Sequence, residues 1–338
     1  MKHLPKEWAY IGLESNSIWF AEGPFTQASH CPSHETAFYL NSFDLTEPTP
    51  WIIPHRLHKL SFKEFSRLFE GSPDPPSHWV TPDQLQFIEV FDQIKAKISQ
   101  HTLKKSVPVV VESSPATLEQ FTSLPHNLSS LHPNLYPYGI HFNGMNFAGA
   151  SPEFLFRSYE GKLRTMALAG TARKEEADIF NNDLKEIQEH EFVAQTLLDS
   201  LTPLGMTVKH ERSIHPVGSL IHFHTRIDVE LYNSHNLEDL IRHLHPTPAL
   251  GPLPRTEENL SDLSQWRNQL GCPTHFGAPF GLYHKGEFNL LVAIRMISFD
   301  GSQLQIPAGC GIIEASRPTN EWRELELKRS SVKDLFNL

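Results

Sequence analysis

Beyond about residue 135 the apolar stretches of this chain come in runs of strand-like segments, and the helical segments interrupt those runs instead of alternating with them. Strands are read at residues 138–142, 154–157, 163–169, 207–215, 219–231 and 289–299, and helices at about 178–201, 236–244 and 318–336. A parallel sheet needs a crossover between successive strands, whereas antiparallel strands need only short turns. The grouping therefore predicts an α+β fold with largely antiparallel sheets, and it argues against a doubly wound one. Neither GxGxxG nor GxxxxGK followed by Ser or Thr occurs, so nothing supports a nucleotide cofactor.

The first part of the chain carries less information. Residues 8–20 read as a strand pair, and residues 21–80 are rich in Pro and His, punctuated from Pro48 through Pro73 to Pro76, which predicts loops and short elements. Thr81, Pro82 and Gln84 form a candidate capping box for a helix whose apolar face runs Leu85, Ile88, Phe91, Ile94, Ile98. Residues 107–111 then read as a buried strand.

Length alone, 338 residues, allows one large domain or two. A formal net charge of −10 and the lack of a broad basic field argue against nucleic acid or an anionic membrane as partner. Three scattered cysteines without a CxxC pair give neither a disulfide framework nor that kind of zinc site. With no apolar signal segment and no apolar run near the ~20 residues of a membrane span, the expectation is a reduced, cytoplasmic protein. HxH pairs, His222/His224 and His243/His245, arise easily among 20 histidines and are not taken as zinc ligands.

Two acidic motifs carry the chemistry. Glu186 and Glu189, and again Glu321 and Glu324, stand three residues apart, so on a helix each pair shares a face. Bringing all four carboxylates together is costly without a cation between them. The pattern points to a hard divalent metal held by oxygen, Mg²⁺ above all.

Around these motifs the sequence resembles a known family. Gly149–Leu155 (GASPEFL), Leu168–Ala172 (LAGTA), Glu186–His190, Leu244–Ala249 (LHPTPA), Ala308–Ile313 (AGCGII) and Glu321–Glu324 (EWRE) match, in order, segments of the chorismate-utilising enzymes. That family comprises isochorismate and salicylate synthases and the large subunits of anthranilate and aminodeoxychorismate synthases. The match is clearest over 103–335, and residues 1–102 look like a shortened, divergent N-terminal part of one domain spanning 1–338. The resemblance implies two antiparallel sheets with surrounding helices and an active site in the cleft between them. It also implies Mg²⁺ held by Glu189 and Glu324, with Glu186 and Glu321 close by, gripping the ring carboxylate of chorismate. Glu153 takes the role of the acid that protonates the leaving C4 hydroxyl, and Lys105 that of the base that activates water at C2, with Lys104 the adjacent alternative. Arg295 is expected on the enolpyruvyl carboxylate and Lys328 near the ring carboxylate. Thr171, Gly309 and Gly311 are expected to line the substrate, with His245 near C2.

A Lys at the base position, together with LAGTA and LHPTPA, favours isochorismate synthase, serving menaquinone or siderophore synthesis, as a monomer or homodimer. A salicylate synthase and a catalytically weak chorismate-binding relative are the alternatives. Departures from the family pattern are Ser106 and Pro108 beside the Lys, Phe276 where the family usually has Tyr, Ala278, and Cys310 between the two glycines.

Overall fold

The computed structural model describes residues 4–14, 16–32, 35–71, 74–129 and 131–338. Two antiparallel sheets lie face to face. The first runs, edge to edge, through Arg56–Ser61, Ser17–Glu22, Trp8–Glu14, Tyr136–Phe142, Met145–Ser151, Met296–Phe299, Gln303–Gly309 and Val109–Pro115. In the second the order is Gly205–Lys209, Leu220–Leu231, Lys162–Arg173, Phe154–Tyr159, Glu287–Val292, Pro279–His284, Ala37–Leu40, Trp51–Ile53 and Thr26–Ala28, with Ser213–Val217 also paired to Leu220–Leu231.

Burial explains the layering. Ile11, Tyr138, Ile140 and Met296 of the first sheet pack with Phe38, Phe280, Leu282 and Leu291 of the second in one apolar cluster between them. Helices cover the outer faces. Val193, Ala194, Leu197 and Leu201 of Leu184–Leu201 seal the second sheet, and Val332 and Phe336 of Pro318–Phe336 pack against the first. Each helix hides one apolar stripe and the central strands of each sheet are buried, while edge strands such as Arg56–Ser61 and Gly205–Lys209 expose several of their residues. No helix among the described residues is long and apolar enough to cross a membrane.

The predicted α+β class holds, and several boundaries move. The strand read at 289–299 is two strands in different sheets, Glu287–Val292 and Met296–Phe299, separated where Arg295 adopts φ +55°. The helix read at 178–201 is two helices, Ala177–Phe180 and Leu184–Leu201, the second begun by Asp183, whose side chain accepts from the N–H groups of Lys185 and Glu186. The stretch 207–215 is two strands, Gly205–Lys209 and Ser213–Val217. The early helix is Gln84–Ser99, capped by Asp83 instead of Thr81, and its buried face is Phe87, Val90, Phe91, Ile94 and Ile98 while Leu85 is exposed. Residues 21–80 supply several short strands to both sheets, and Pro73 lies outside the described residues. The helix Glu257–Gln269, with few apolar positions, has no counterpart in the sequence reading.

Candidate active site

Of the places where the chain crosses from one sheet to the other, those at 152–153 and at 293–295 lie side by side. The Val292 N–H donates to the Glu153 carbonyl (3.1 Å) and the Ala150 N–H to the Arg295 carbonyl (3.1 Å). The Ser151 hydroxyl donates to the Val292 carbonyl at 2.7 Å, locking one crossing to the other. Glu153 and Arg295 are therefore carried by backbone that leaves one ladder before joining the next, which frees their side chains to face the gap between the sheets. Arg295 pays for that position with a left-handed backbone, a cost of about 1–2 kcal/mol for a residue with a Cβ.

Both side chains line one pocket, shared with Gly170, Thr171, Glu189, His222, Phe276, Gly309, Gly311, Glu324 and Lys328. Glu153 is 2% exposed, and burial pushes its carboxyl up to about 8, against the opposing pull of the Thr247 hydrogen bond and of Lys105 and Lys328. Among the described residues its side chain accepts one hydrogen bond, from the Thr247 hydroxyl at 3.3 Å. Burial moves Arg295 the other way, down to about 10, with Glu324 opposing. Its Nη1 donates to Ser331 Oγ and its Nη2 to His222 Nε2 (3.1 Å). His222 Nδ1 in turn donates to the Gly170 carbonyl at 2.8 Å. Burial, with Arg295 beside it, holds this imidazole neutral. Lys328 donates to the Gly309 carbonyl (2.8 Å) and pairs with Glu324 (2.6 Å), one helical turn away.

Next to this pocket the first turns of Leu184–Leu201 and Pro318–Phe336 converge, so two helix N-termini face the same carboxylates. At their centre stands an ammonium that the sequence reading did not single out. Lys185 Nζ lies 2.9 Å from Glu186, 3.1 Å from Glu189, 3.3 Å from Glu321 and 3.9 Å from Glu324. Burial pushes the carboxyls of Glu186 and Glu321 up, to about 7 and about 8, with Lys185 opposing. For Glu324 burial is outweighed by Lys328 and Lys185, and it is held down at about 2. Among the described residues no three acidic, His or Cys side chains converge closely enough to hold a metal ion as they stand. The donor chemistry nevertheless fits a hard cation. All four groups are carboxylates, and Glu321 Oε2 is buried with no hydrogen-bond partner. A Cβ on Gly311 would sit 1.9 Å from Glu189 Oε1, so the glycine is the cradle that admits that carboxylate.

Of the expected site residues, Glu153, Thr171, Arg295, Gly309, Gly311, Lys328, Glu189 and Glu324 line the pocket. Glu186 and Glu321 border the adjoining opening, which Thr171 and Glu324 share. Glu186 also accepts from the Thr171 N–H (2.9 Å), tying its helix to the LAGTA strand. Lys105 stands one layer behind the wall. It is wholly buried, donates to the Pro248 carbonyl (2.6 Å), lies 3.5 Å from Glu189, and reaches within 2.8 Å of where a Gly311 Cβ would be. Burial lowers its pKa, with Glu189 opposing. Lys104 faces outward. His245 is not brought to the pocket. Its Nε2 bonds the Phe43 carbonyl at 2.7 Å, and the imidazole at the pocket wall is His222. The signal for His222 was its HxH strand pair, whose alternation turns His222 and His224 to one face, but only His222 meets the pocket.

A family model described as chorismate binding enzyme matches residues 55–336. The chain is 32% identical over 206 residues to the isochorismate synthase MenF of Bacillus subtilis, covering 57% of this chain and 43% of that one. It is 26% identical over 321 residues to the isochorismate synthase EntC of Escherichia coli, covering 88% and 80%. The solved structure of MenF, the menaquinone-specific isochorismate synthase of Escherichia coli, aligns with a TM-score of 0.81 at 19% identity over 99% of this chain and 90% of that one, a likeness of fold. The chain spans less than half the length of the first of these relatives.

Proposed function

The chain belongs to the chorismate-binding enzymes, and from that premise we propose that it is an isochorismate synthase, converting chorismate to isochorismate by adding water at C2 and expelling the C4 hydroxyl. The observation that carries this reading is a carboxyl kept protonated near neutral pH in the pocket and, one layer behind the pocket wall, a wholly buried lysine whose basicity is lowered. An allylic displacement of one oxygen by another needs both an acid and a base.

Glu153 gives its proton to the departing hydroxyl. Its apolar seat suits the task, because a carboxyl that is neutral at pH 7 can donate. Lys105 is the base for the incoming water, and desolvation lowers its pKa toward that task, with Glu189 opposing. Arg295, oriented by Ser331 and by neutral His222, meets one substrate carboxylate. Lys328 supports the other. A divalent metal, Mg²⁺ by preference, held by Glu189 and Glu324 with Glu186 and Glu321 around it, would supply the charge that lets an acidic site accept the ring carboxylate. The product would serve menaquinone or siderophore synthesis in the cytoplasm, with the protein acting as a monomer or homodimer.

The test is purified protein with chorismate, with and without Mg²⁺, and the products separated by chromatography. Isochorismate that forms only with metal is the expected result. Pyruvate and salicylate would make the chain a salicylate synthase. Saturable chorismate binding without turnover would make it a non-catalytic relative and turn attention to Phe276, which offers the pocket no hydroxyl.

A further inference from the structure

The centre of the acidic cluster is filled by the chain itself. Lys185 Nζ touches carboxylates from both converging helices, at distances from 2.9 to 3.9 Å. A divalent ion bound to Glu189 and Glu324 would stand within a few ångströms of that ammonium, in a site where water does little to screen the repulsion. We propose that Lys185 is a built-in competitor of the divalent metal. The ammonium and the metal occupy the cluster in turn, and metal binding requires Lys185 to swing out. This rests on the metal reading of the site given above.

Three observations favour exchange over a permanent ion pair. First, among the described residues the Lys185 ammonium meets only carboxylates, whereas Lys105 and Lys328 are each also anchored on a backbone carbonyl, of Pro248 and Gly309. Second, Lys185 lies in the first turn of its helix, where the positive end of the dipole disfavours a cation, so nothing but the carboxylates holds it inward. Third, the lysine satisfies the cluster incompletely. Glu321 Oε1 lies 3.3 Å from the ammonium, while Oε2 of the same carboxylate is buried without a hydrogen-bond partner, an acceptor that the ammonium leaves unmet. An exit exists as well. Lys185 borders the opening lined by Glu176, Asp183 and Arg323, and its side chain is 17% exposed.

The consequence is a threshold. Metal affinity is lowered by the free energy of displacing the ammonium, so the site fills only above a set concentration of free metal. The test is Mn²⁺ binding to the whole protein without substrate, read from the electron paramagnetic signal of free Mn²⁺, for wild type, Lys185→Gln and Lys185→Arg. We expect Lys185→Gln to bind at least about tenfold more tightly than wild type and Lys185→Arg to stay near wild type. A parallel measurement needs no variant. Acylation of Lys185, followed by mass spectrometry of wild type, should rise when Mn²⁺ is added. Equal or weaker binding by folded Lys185→Gln, or acylation that Mn²⁺ leaves unchanged, overturns the competition while wild-type binding keeps the metal reading. Failure of both wild type and Lys185→Gln to bind Mn²⁺ at millimolar concentration overturns the metal reading and this inference with it.

Discussion

Replacing Glu153 by Gln should separate its chemistry from its fold. A carboxyl moved from 4.5 to about 8 by burial corresponds to about 5 kcal/mol against its ionised form. The native protein thus keeps a proton that the unfolded chain sheds above about 4.5. Its stability from this group is complete at low pH, falls as pH rises from about 4.5 to about 8, and is level beyond. Glu153→Gln carries no such dependence. The stability of wild type relative to the variant should therefore decline between about pH 5 and about pH 9 by up to about 5 kcal/mol, and a decline of about 2 kcal/mol already exceeds the error of urea unfolding. At pH 7 roughly nine in ten Glu153 side chains carry the proton that the leaving hydroxyl needs, so wild-type kcat/KM should fall about tenfold per pH unit above about 8. The variant should bind chorismate yet lose about 10²–10⁴ in kcat, and its residual rate should lack the alkaline limb. A stability difference that stays flat with pH, or an alkaline limb that survives in Glu153→Gln, would refute the assignment.

Lys105→Met should reduce kcat by about 10²–10⁴ while chorismate still binds, with Lys104→Met close to wild type; loss of activity in the Lys104 variant alone would move the base by one residue. Gly311→Ala puts a Cβ 1.9 Å from Glu189 Oε1 and 2.8 Å from Lys105 Cε, so both side chains must shift from their buried positions. Thermal unfolding should then report a loss of about 1–3 kcal/mol together with weaker Mn²⁺ binding, and an unchanged melting temperature would contradict the packing. Thr247→Val deletes the hydrogen bond that holds the Glu153 pKa down, so the alkaline limb of the kcat/KM profile should shift upward, a change that loss of packing alone would not produce. Chelation of divalent metal should abolish turnover, with Mg²⁺ restoring it; full activity in excess chelator would count against the metal.

Helices with two carboxylates per turn were legible because periodicity needs only local information, and Pro318–Phe336 matches its predicted bounds. The motif segments were legible for the same reason, and their residues meet in one pocket. What escaped depends on contacts distant in sequence. The run 289–299 is apolar almost throughout, so nothing local says that it changes sheets at Arg295. His245 sits within a matched segment, yet its imidazole is taken by the Phe43 carbonyl, some 200 positions away in the least readable part of the chain. Lys185 reads as a helix-surface lysine until the second acidic helix closes over it.

One carboxylate is kept neutral and another ionised at either side of a single pocket, and the difference arises from the elements that carry them. Glu153 comes from a sheet crossing, where its neighbours are apolar strands and, among the described residues, its side chain accepts only from the hydroxyl of Thr247, so desolvation wins and the proton stays. Glu324 comes from a helix that supplies its own counter-ion one turn later, Lys328 at 2.6 Å, with its first turn directed at Lys185, so charge pairing wins and the proton leaves. Exchanging the two environments would exchange the roles. A lysine brought beside Glu153 would ionise the acid, and loss of Lys328 would let burial protonate Glu324 and weaken its hold on any cation. Which glutamate keeps its proton and which carries charge thus follows from the secondary structure each occupies, given the same side chain in both places.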